Sequence, residues 1–150
     1  MAQTLISLYA HIIFSTKNRV NIISPEVEDA LYGYIGGILN NHKSKLLIGN
    51  GTANHSHLLV SLSKNVLIPD IVGDIKRDSS KHIKTIDDEF SKFQWQDGYA
   101  AFSVGHSQIK DVKAYIINQK AHHAKKDFKN EMRMFFNKYD IEYDEQYVWD

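Results

Sequence analysis

The sequence predicts an α+β fold, an antiparallel sheet with helices on one face and a further C-terminal helix, and three observations carry that reading. Apolar residues switch between a period of two and a period near 3.6 in the order strand, helix, strand, strand, helix, strand, helix. Two β-rich runs flank the polar stretch Asn50 to Asn54, as a hairpin requires. The 150 residues, 43% of them hydrophobic, suit a core of their own without disulfides, so 1–150 is read as a single domain.

In chain order, Leu5 to Phe14 alternates like a half-buried strand, with Leu8, Ala10, Ile12 and Phe14 on one face and Ser7, Tyr9, His11 and Ile13 on the other. Ser24 and Pro25, followed by Glu26 and Glu28, supply a cap, a first-turn proline and acids near the positive end of a helix dipole. Val27, Leu31, Tyr34, Ile35 and Ile38 then carry that helix to about Asn41. Lys45 to Gly49 and His55 to Leu62 form the hairpin. A second helix starts near Pro69 and runs through Ile71, Val72 and Ile75. Gly98 to Val104 is the fourth strand, after which Ser107 caps a helix to about Lys126. Phe128, Met132, Phe135, Phe136 and Tyr139 mark the last helix, and the aperiodic, aromatic ending IEYDEQYVWD is expected to pack as a tail. This order is that of a ferredoxin-like split βαβ sandwich, a fold that hosts many functions and decides none of them.

Composition narrows the chemistry. There is no cysteine, so thiolate metal sites, disulfides and cysteine nucleophiles are excluded, and any metal must be held by His, carboxylate or amide groups. The first apolar run is too short to span a bilayer, and the expected location is the cytoplasm. Formal net charge is +0, which lacks the basic signature of a nucleic-acid binder. The charge is segregated, however: residues 101–130 hold six Lys against Asp111 and Asp127, while 131–150 hold Arg133 and Lys138 against six acids.

His55 and His57 lie two apart on a strand, so both imidazoles project from the face not used by Leu58, Val60 and Leu62 and can reach one divalent ion. A pair of surface histidines fits that spacing equally. Tyr115 and Gln119 lie four apart on a helix and share a face, where the Gln119 amide oxygen could complete a metal site and Tyr115 could point at what the metal holds; ordinary core packing of Tyr115 is the alternative.

His-Ser-His-Leu-Leu-Val (55–60) and Tyr-Ile-Ile-Asn-Gln-Lys-Ala-His-His (115–123), in that order, resemble the two signatures of the small single-tyrosine insertion-sequence transposases, members of the HUH (His-hydrophobic-His) endonuclease superfamily. Segments 11–17, 74–81, 95–104 and 143–149 resemble the same family, so the likeness spans essentially the whole chain. Ser56 departs from the motif, which has a hydrophobe between the histidines; it is expected to point into the core.

The resemblance implies that His55, His57 and Gln119 hold a divalent ion, Mg2+ or Mn2+, and that Tyr115 attacks single-stranded DNA at hairpin-bearing element ends, leaving a 5′-phosphotyrosine and a free 3′-hydroxyl. It also implies a homodimer in which the Tyr115 helix of one subunit reaches the His55 and His57 of the other. Candidate DNA contacts are His11, Lys76, Arg77, Lys81, Lys110, Lys113, His122 and His123. Two other functions fit the same motifs: a replication-initiator-like nickase, and a domesticated module that binds hairpins or single strands without cutting.

Overall fold

The computed structural model describes residues 2–150. Its elements are β1 (Tyr9–Ser15), α1 (Pro25–Asn41), β2 (Lys45–Thr52), β3 (His55–Ser61), α2 (Ile68–Ile86), β4 (Ala100–Val104), α3 (Ile109–Ile117), α4 (Gln119–His123) and α5 (Phe128–Lys138). The strands lie in the order β2-β3-β1-β4 with every neighbouring pair antiparallel. This is the ferredoxin-like arrangement, with β1 and β3 central because each crossover helix carries the chain past one strand position.

Alternation along the two central strands sorts the core. Ala10, Ile12 and Phe14 of β1 and Leu58 and Val60 of β3 face Val27, Leu31 and Ile35 of α1 and Ile71 and Ile75 of α2. Ser56 shares this face, as expected, fully buried, and its hydroxyl bonds the Tyr32 hydroxyl at 2.9 Å. α1 opens on Pro25 with Ser24 at the cap position, although the Ser24 hydroxyl turns to Glu26 and makes no cap bond. The helix closes with Lys43 at φ 58°, Ser44 N donating to the Leu39 carbonyl and Lys43 N to that of Asn40, the paired bonds that turn a chain sharply out of a helix.

The second face is also covered, which the sequence reading of helices on one face left out. Ile13, Leu59, Phe102 and Val104 point that way, and sheet residues so apolar must be buried. The stripe Phe128, Met132, Phe135 and Phe136 of α5 packs on Ile13 and Phe102, while Ile116 of α3 packs on Leu59 and Val104. β1 is therefore buried on both faces rather than half-buried. The C-terminal tail straps this layer down: Trp149 packs with Phe128 and Phe136, its carbonyl accepts from Arg19 Nη1, and Gly98 N donates to Asp150 O at 2.9 Å. No helix among the described residues is long and apolar enough to cross a membrane.

One long helix from Ser107 to about Lys126 was expected, and the chain differs. The cap position of α3 is Gln108, and the helix breaks at Asn118. Asn50 explains the break, because its Nδ2 donates to the carbonyls of Ile116 at 2.9 Å and Ile117 at 3.1 Å, acceptors that a continuous helix would give to residues 120 and 121. The β2–β3 hairpin thus sets the direction of α4. Lys120 reinforces the link, its ammonium donating to both Glu28 carboxylate oxygens and to Asn50 Oδ1.

Candidate active site

The hairpin brings Thr52 opposite His55 and Asn50 opposite His57, and both histidines project from β3 onto the second face, fully buried. They are not surface histidines. His55 Nδ1 lies 2.8 Å from Asn54 Oδ1 and 2.9 Å from Thr52 Oγ1. Because the Asn54 amide oxygen can only accept, His55 carries its proton on Nδ1 and turns the lone pair of Nε2 inward. Gly51 allows this close turn, since a Cβ there would stand 2.1 Å from the His55 carbonyl oxygen.

Inward of the two rings lies Glu131, on the buried side of α5 between Phe128 and Phe135 and 1% exposed. Its Oε1 accepts from His57 Nε2 at 3.0 Å and His123 Nε2 at 3.0 Å, and stands 3.5 Å from His55 Nε2. Its Oε2 accepts from Gln119 Nε2 at 3.1 Å and from the Tyr115 hydroxyl. Gln119 Oε1 closes the ring at 3.2 Å from His55 Nε2. Behind His57, the His11 Nε2 meets Nδ1 at 2.8 Å. Glu131 Oε1 requires a donor, so His57 is protonated on Nε2, its Nδ1 accepts from His11, and His11 fixes the ring's orientation.

The electrostatics follow from burial. Burial, with His57 beside it, drives His11 down to about 3. Burial drives His57 down to about 4, only partly offset by Glu131, and lowers His55 as well. Burial alone would raise the Glu131 carboxyl, but hydrogen bonds from His123 and His57, with His55 close by, hold it well below the usual carboxylate range. At neutral pH His11, His55 and His57 are neutral imidazoles beside one carboxylate; His55 Nε2 already turns a lone pair inward, and a cation taking the place of the His57 Nε2 proton would leave that proton to Nδ1.

That donor set fits a divalent cation. One ligand atom from each of His55, His57, His123 and Glu131 lies within 4.8 Å of the others. The contacts of 3.0 to 3.5 Å match the roughly 3 Å spacing of adjacent ligands around an octahedral ion with bonds of about 2.1 Å. Three imidazoles and a carboxylate favour manganese or another first-row ion over magnesium, which prefers oxygen ligands.

Tyr115 stands at the edge of this group, half-buried, its ring stacked on His122 at 4.7 Å and met edge-on by His11 and Phe135. Burial, then the Glu131 bond and charge, hold its hydroxyl above the usual phenol range, so it is a protonated donor here. The four-residue spacing to Gln119 does bring both side chains to one centre, across the helix break.

His55, His57, Gln119 and Tyr115 therefore meet within one chain, around the Glu131 carboxylate. Of the candidate DNA contacts, His11 orients His57 and His123 meets the Glu131 carboxylate. The reason is burial: His11 is 3% exposed and His123 is turned into Glu131. His122 is exposed and covers the Tyr115 ring.

Lys76 is not a free cation, because its ammonium donates to the carbonyls of Gln96, Asp97 and Gly98, and burial lowers it to about 8. Arg77 is held by Asp74 and Asp78. Lys81, Lys110 and Lys113 make no ion pair among the described residues. Lys76, Arg77 and Lys81 sit on α2, across the sheet from the histidine cluster. Glu131 escaped the sequence reading; its signal was a lone carboxylate inside the apolar stripe of α5.

A family profile described as transposase, IS200-like, matches residues 4–119. Glu131 and His123 lie beyond that segment. Among solved structures, a protein from Deinococcus radiodurans R1 described as a candidate transposase matches with TM-score 0.60 and 24% identity over 79% of this chain and 95% of its own. A REP-associated tyrosine transposase bound to a REP hairpin matches with TM-score 0.57 and 13% identity over 83% of this chain and 72% of its own. At these identities the likeness shows the fold. No curated protein sequence matches.

Proposed function

This chain belongs to the IS200-like transposase family, and from that premise we propose that it cleaves and rejoins single-stranded DNA, with Tyr115 as nucleophile beside a divalent cation held by His55, His57, His123 and Glu131, with Gln119 completing the set. The observation that carries the reading is the convergence of the Tyr115 hydroxyl and Gln119 on the carboxylate to which His57 and His123 also point. A pure binding module would have no use for a buried charge arranged beside a phenol.

A cation bound there would neutralise the phosphodiester and polarise its P–O bonds. The chain's own groups do the rest. His122, His11 and Phe135 hold the Tyr115 ring, so its hydroxyl has one position from which to attack. Glu131 Oε2 is the acceptor already facing that proton. Attack by the Tyr115 oxygen on phosphorus forms a 5′-phosphotyrosine and releases a 3′-hydroxyl; return of such a hydroxyl to the phosphotyrosine restores a phosphodiester and frees the tyrosine. The bond is conserved throughout, so no nucleotide hydrolysis is needed.

DNA with a hairpin at the element end is the proposed partner, as the REP-associated neighbour was solved on a hairpin. Lys81, on the far side of the sheet, would grip duplex backbone away from the cut, and Lys110 and Lys113 on α3 would grip the strand near it. A homodimer would then pair two complete sites, each built in cis, and hold two ends together.

The test is incubation with hairpin-bearing single strands from the flanks of its own gene, with and without Mn2+. The expected result is a covalent protein–DNA band on a denaturing gel that requires the ion and is lost in Tyr115→Phe. Undiminished adduct in Tyr115→Phe overturns the assignment.

A further inference from the structure

We propose that the cleft between α3 and α5 beside Tyr115 receives the nucleobase adjoining the cleaved phosphate, and that Asp111 selects a base with an exocyclic amino group. This rests on the reading of Tyr115 as a DNA nucleophile. The cleft encloses about 340 Å³, within the size range of small-ligand sites. His11 forms its floor, Tyr115, Phe135 and Tyr139 its aromatic walls, and Asp111 and Lys138 its rim.

Position argues for a base. The Tyr115 ring is closed on one side by His122 and its hydroxyl is tied to the buried cluster, so a phosphate in line with that oxygen sits at the cluster's edge. The nucleoside attached to it needs adjacent room, and the open space bordering Tyr115 is this cleft. Its walls suit a flat π-system: Tyr139 is itself stacked on Phe102 at 4.8 Å and so presents a firm surface, and stacking of bases on such rings is the usual way proteins hold single strands.

Charge argues for the kind of base. Asp111 is exposed in the first turn of α3 and makes neither an ion pair nor a side-chain hydrogen bond among the described residues. An unpaired carboxylate beside a polyanion repels it unless it accepts a hydrogen bond in return, and the amino groups of cytosine, adenine or guanine donate one. Thymine has no exocyclic amino group, and its N3–H lies between two carbonyls whose lone pairs face the carboxylate. Gln108 Oε1 is bonded to Gly105 N, which leaves its amide NH2 as a neighbouring donor, and Lys138 stands 5.7 Å over the Tyr139 ring, where it can meet the backbone.

The experiment uses full-length Tyr115→Phe, which binds without cutting, and hairpin DNA carrying 2-aminopurine at successive positions of its single-stranded flank. One position, the neighbour of the phosphate that the wild type cleaves, is expected to lose fluorescence several-fold on binding through stacking in the cleft. Adding Asp111→Asn should relieve that quenching, and thymine at the same position should weaken binding about tenfold with Asp111 present and not with Asn. DNA bound with no quenched position, quenching remote from the cleavage point, or quenching indifferent to Asp111→Asn overturns the proposal while leaving the strand-transferase reading intact. Failure to bind hairpin DNA at all overturns that reading and the proposal together. Melting curves of the Asp111 variant exclude a folding defect, since the side chain is exposed.

Discussion

Replacing Glu131 with Gln leaves the volume of α5's buried side unchanged and removes only the charge and one acceptor oxygen. Four donors meet the carboxylate: His57 and His123 on Oε1, Gln119 and the Tyr115 hydroxyl on Oε2. An amide keeps one oxygen, so one pair of donors then faces an NH2 group. Each bond to a charged acceptor contributes about 1.5–3 kcal/mol, and a neutral imidazole can recover part of the loss by moving its proton, which leaves a net cost of about 3 kcal/mol. In a domain of this size that lowers the melting temperature of the metal-free protein by roughly 6–12 °C. Calorimetric titration with Mn2+ should show affinity at least tenfold weaker, because the only anionic ligand of the cluster is gone. A variant that melts and binds Mn2+ like the wild type would show that the carboxylate does not organise the site; one that melts higher would show that burial of the charge outweighs its hydrogen bonds.

Three further outcomes follow from the same geometry. Lys76→Met should cost about 2 kcal/mol in urea unfolding by orphaning three carbonyls, with no change in the salt dependence of DNA binding, whereas Lys81→Ala should leave stability unchanged and reduce the slope of log affinity against log salt by about one. Acid should destabilise the metal-free protein: His11 and His57 are held at about 3 and about 4, so the unfolded chain takes protons below its imidazole range that the native state refuses, and stability falls as pH drops from about 6.5 towards 4. His57 alone contributes about 3 kcal/mol over that window, and Glu131, held low, adds loss in the same direction below the ordinary carboxylate range; stability flat between pH 7 and 5 would contradict the neutral cluster. On the proposal that each site is built in cis, mixing inactive Tyr115→Phe with inactive His55→Ala/His57→Ala protein should restore no cleavage; recovered cleavage in proven heterodimers would mean that α3 is exchanged between subunits.

What could be read beforehand was local. Alternation in 55–60 correctly separated the histidine face from the Leu58 and Val60 face, and the four-residue spacing of Tyr115 and Gln119 correctly joined them, since both depend on the backbone's own period. Glu131 was hidden because its meaning comes from docking α5 onto β1 and β4, contacts that leave no mark on its neighbours in sequence beyond an acid among aromatics. The anchoring of Lys76 was hidden for the same reason: its carbonyl partners belong to a turn 20 to 22 residues away. The helix break at Asn118 depends on Asn50, 66 and 67 residues before its two acceptors, and no helix propensity in 107–126 announces it.

The identity of the residue that carries the DNA is the most direct measurement. After reaction with hairpin DNA and Mn2+, nuclease and protease digestion followed by tandem mass spectrometry should locate a 5′-phosphonucleotide on Tyr115. Attachment at Tyr99, Tyr139 or any other residue would contradict the site described.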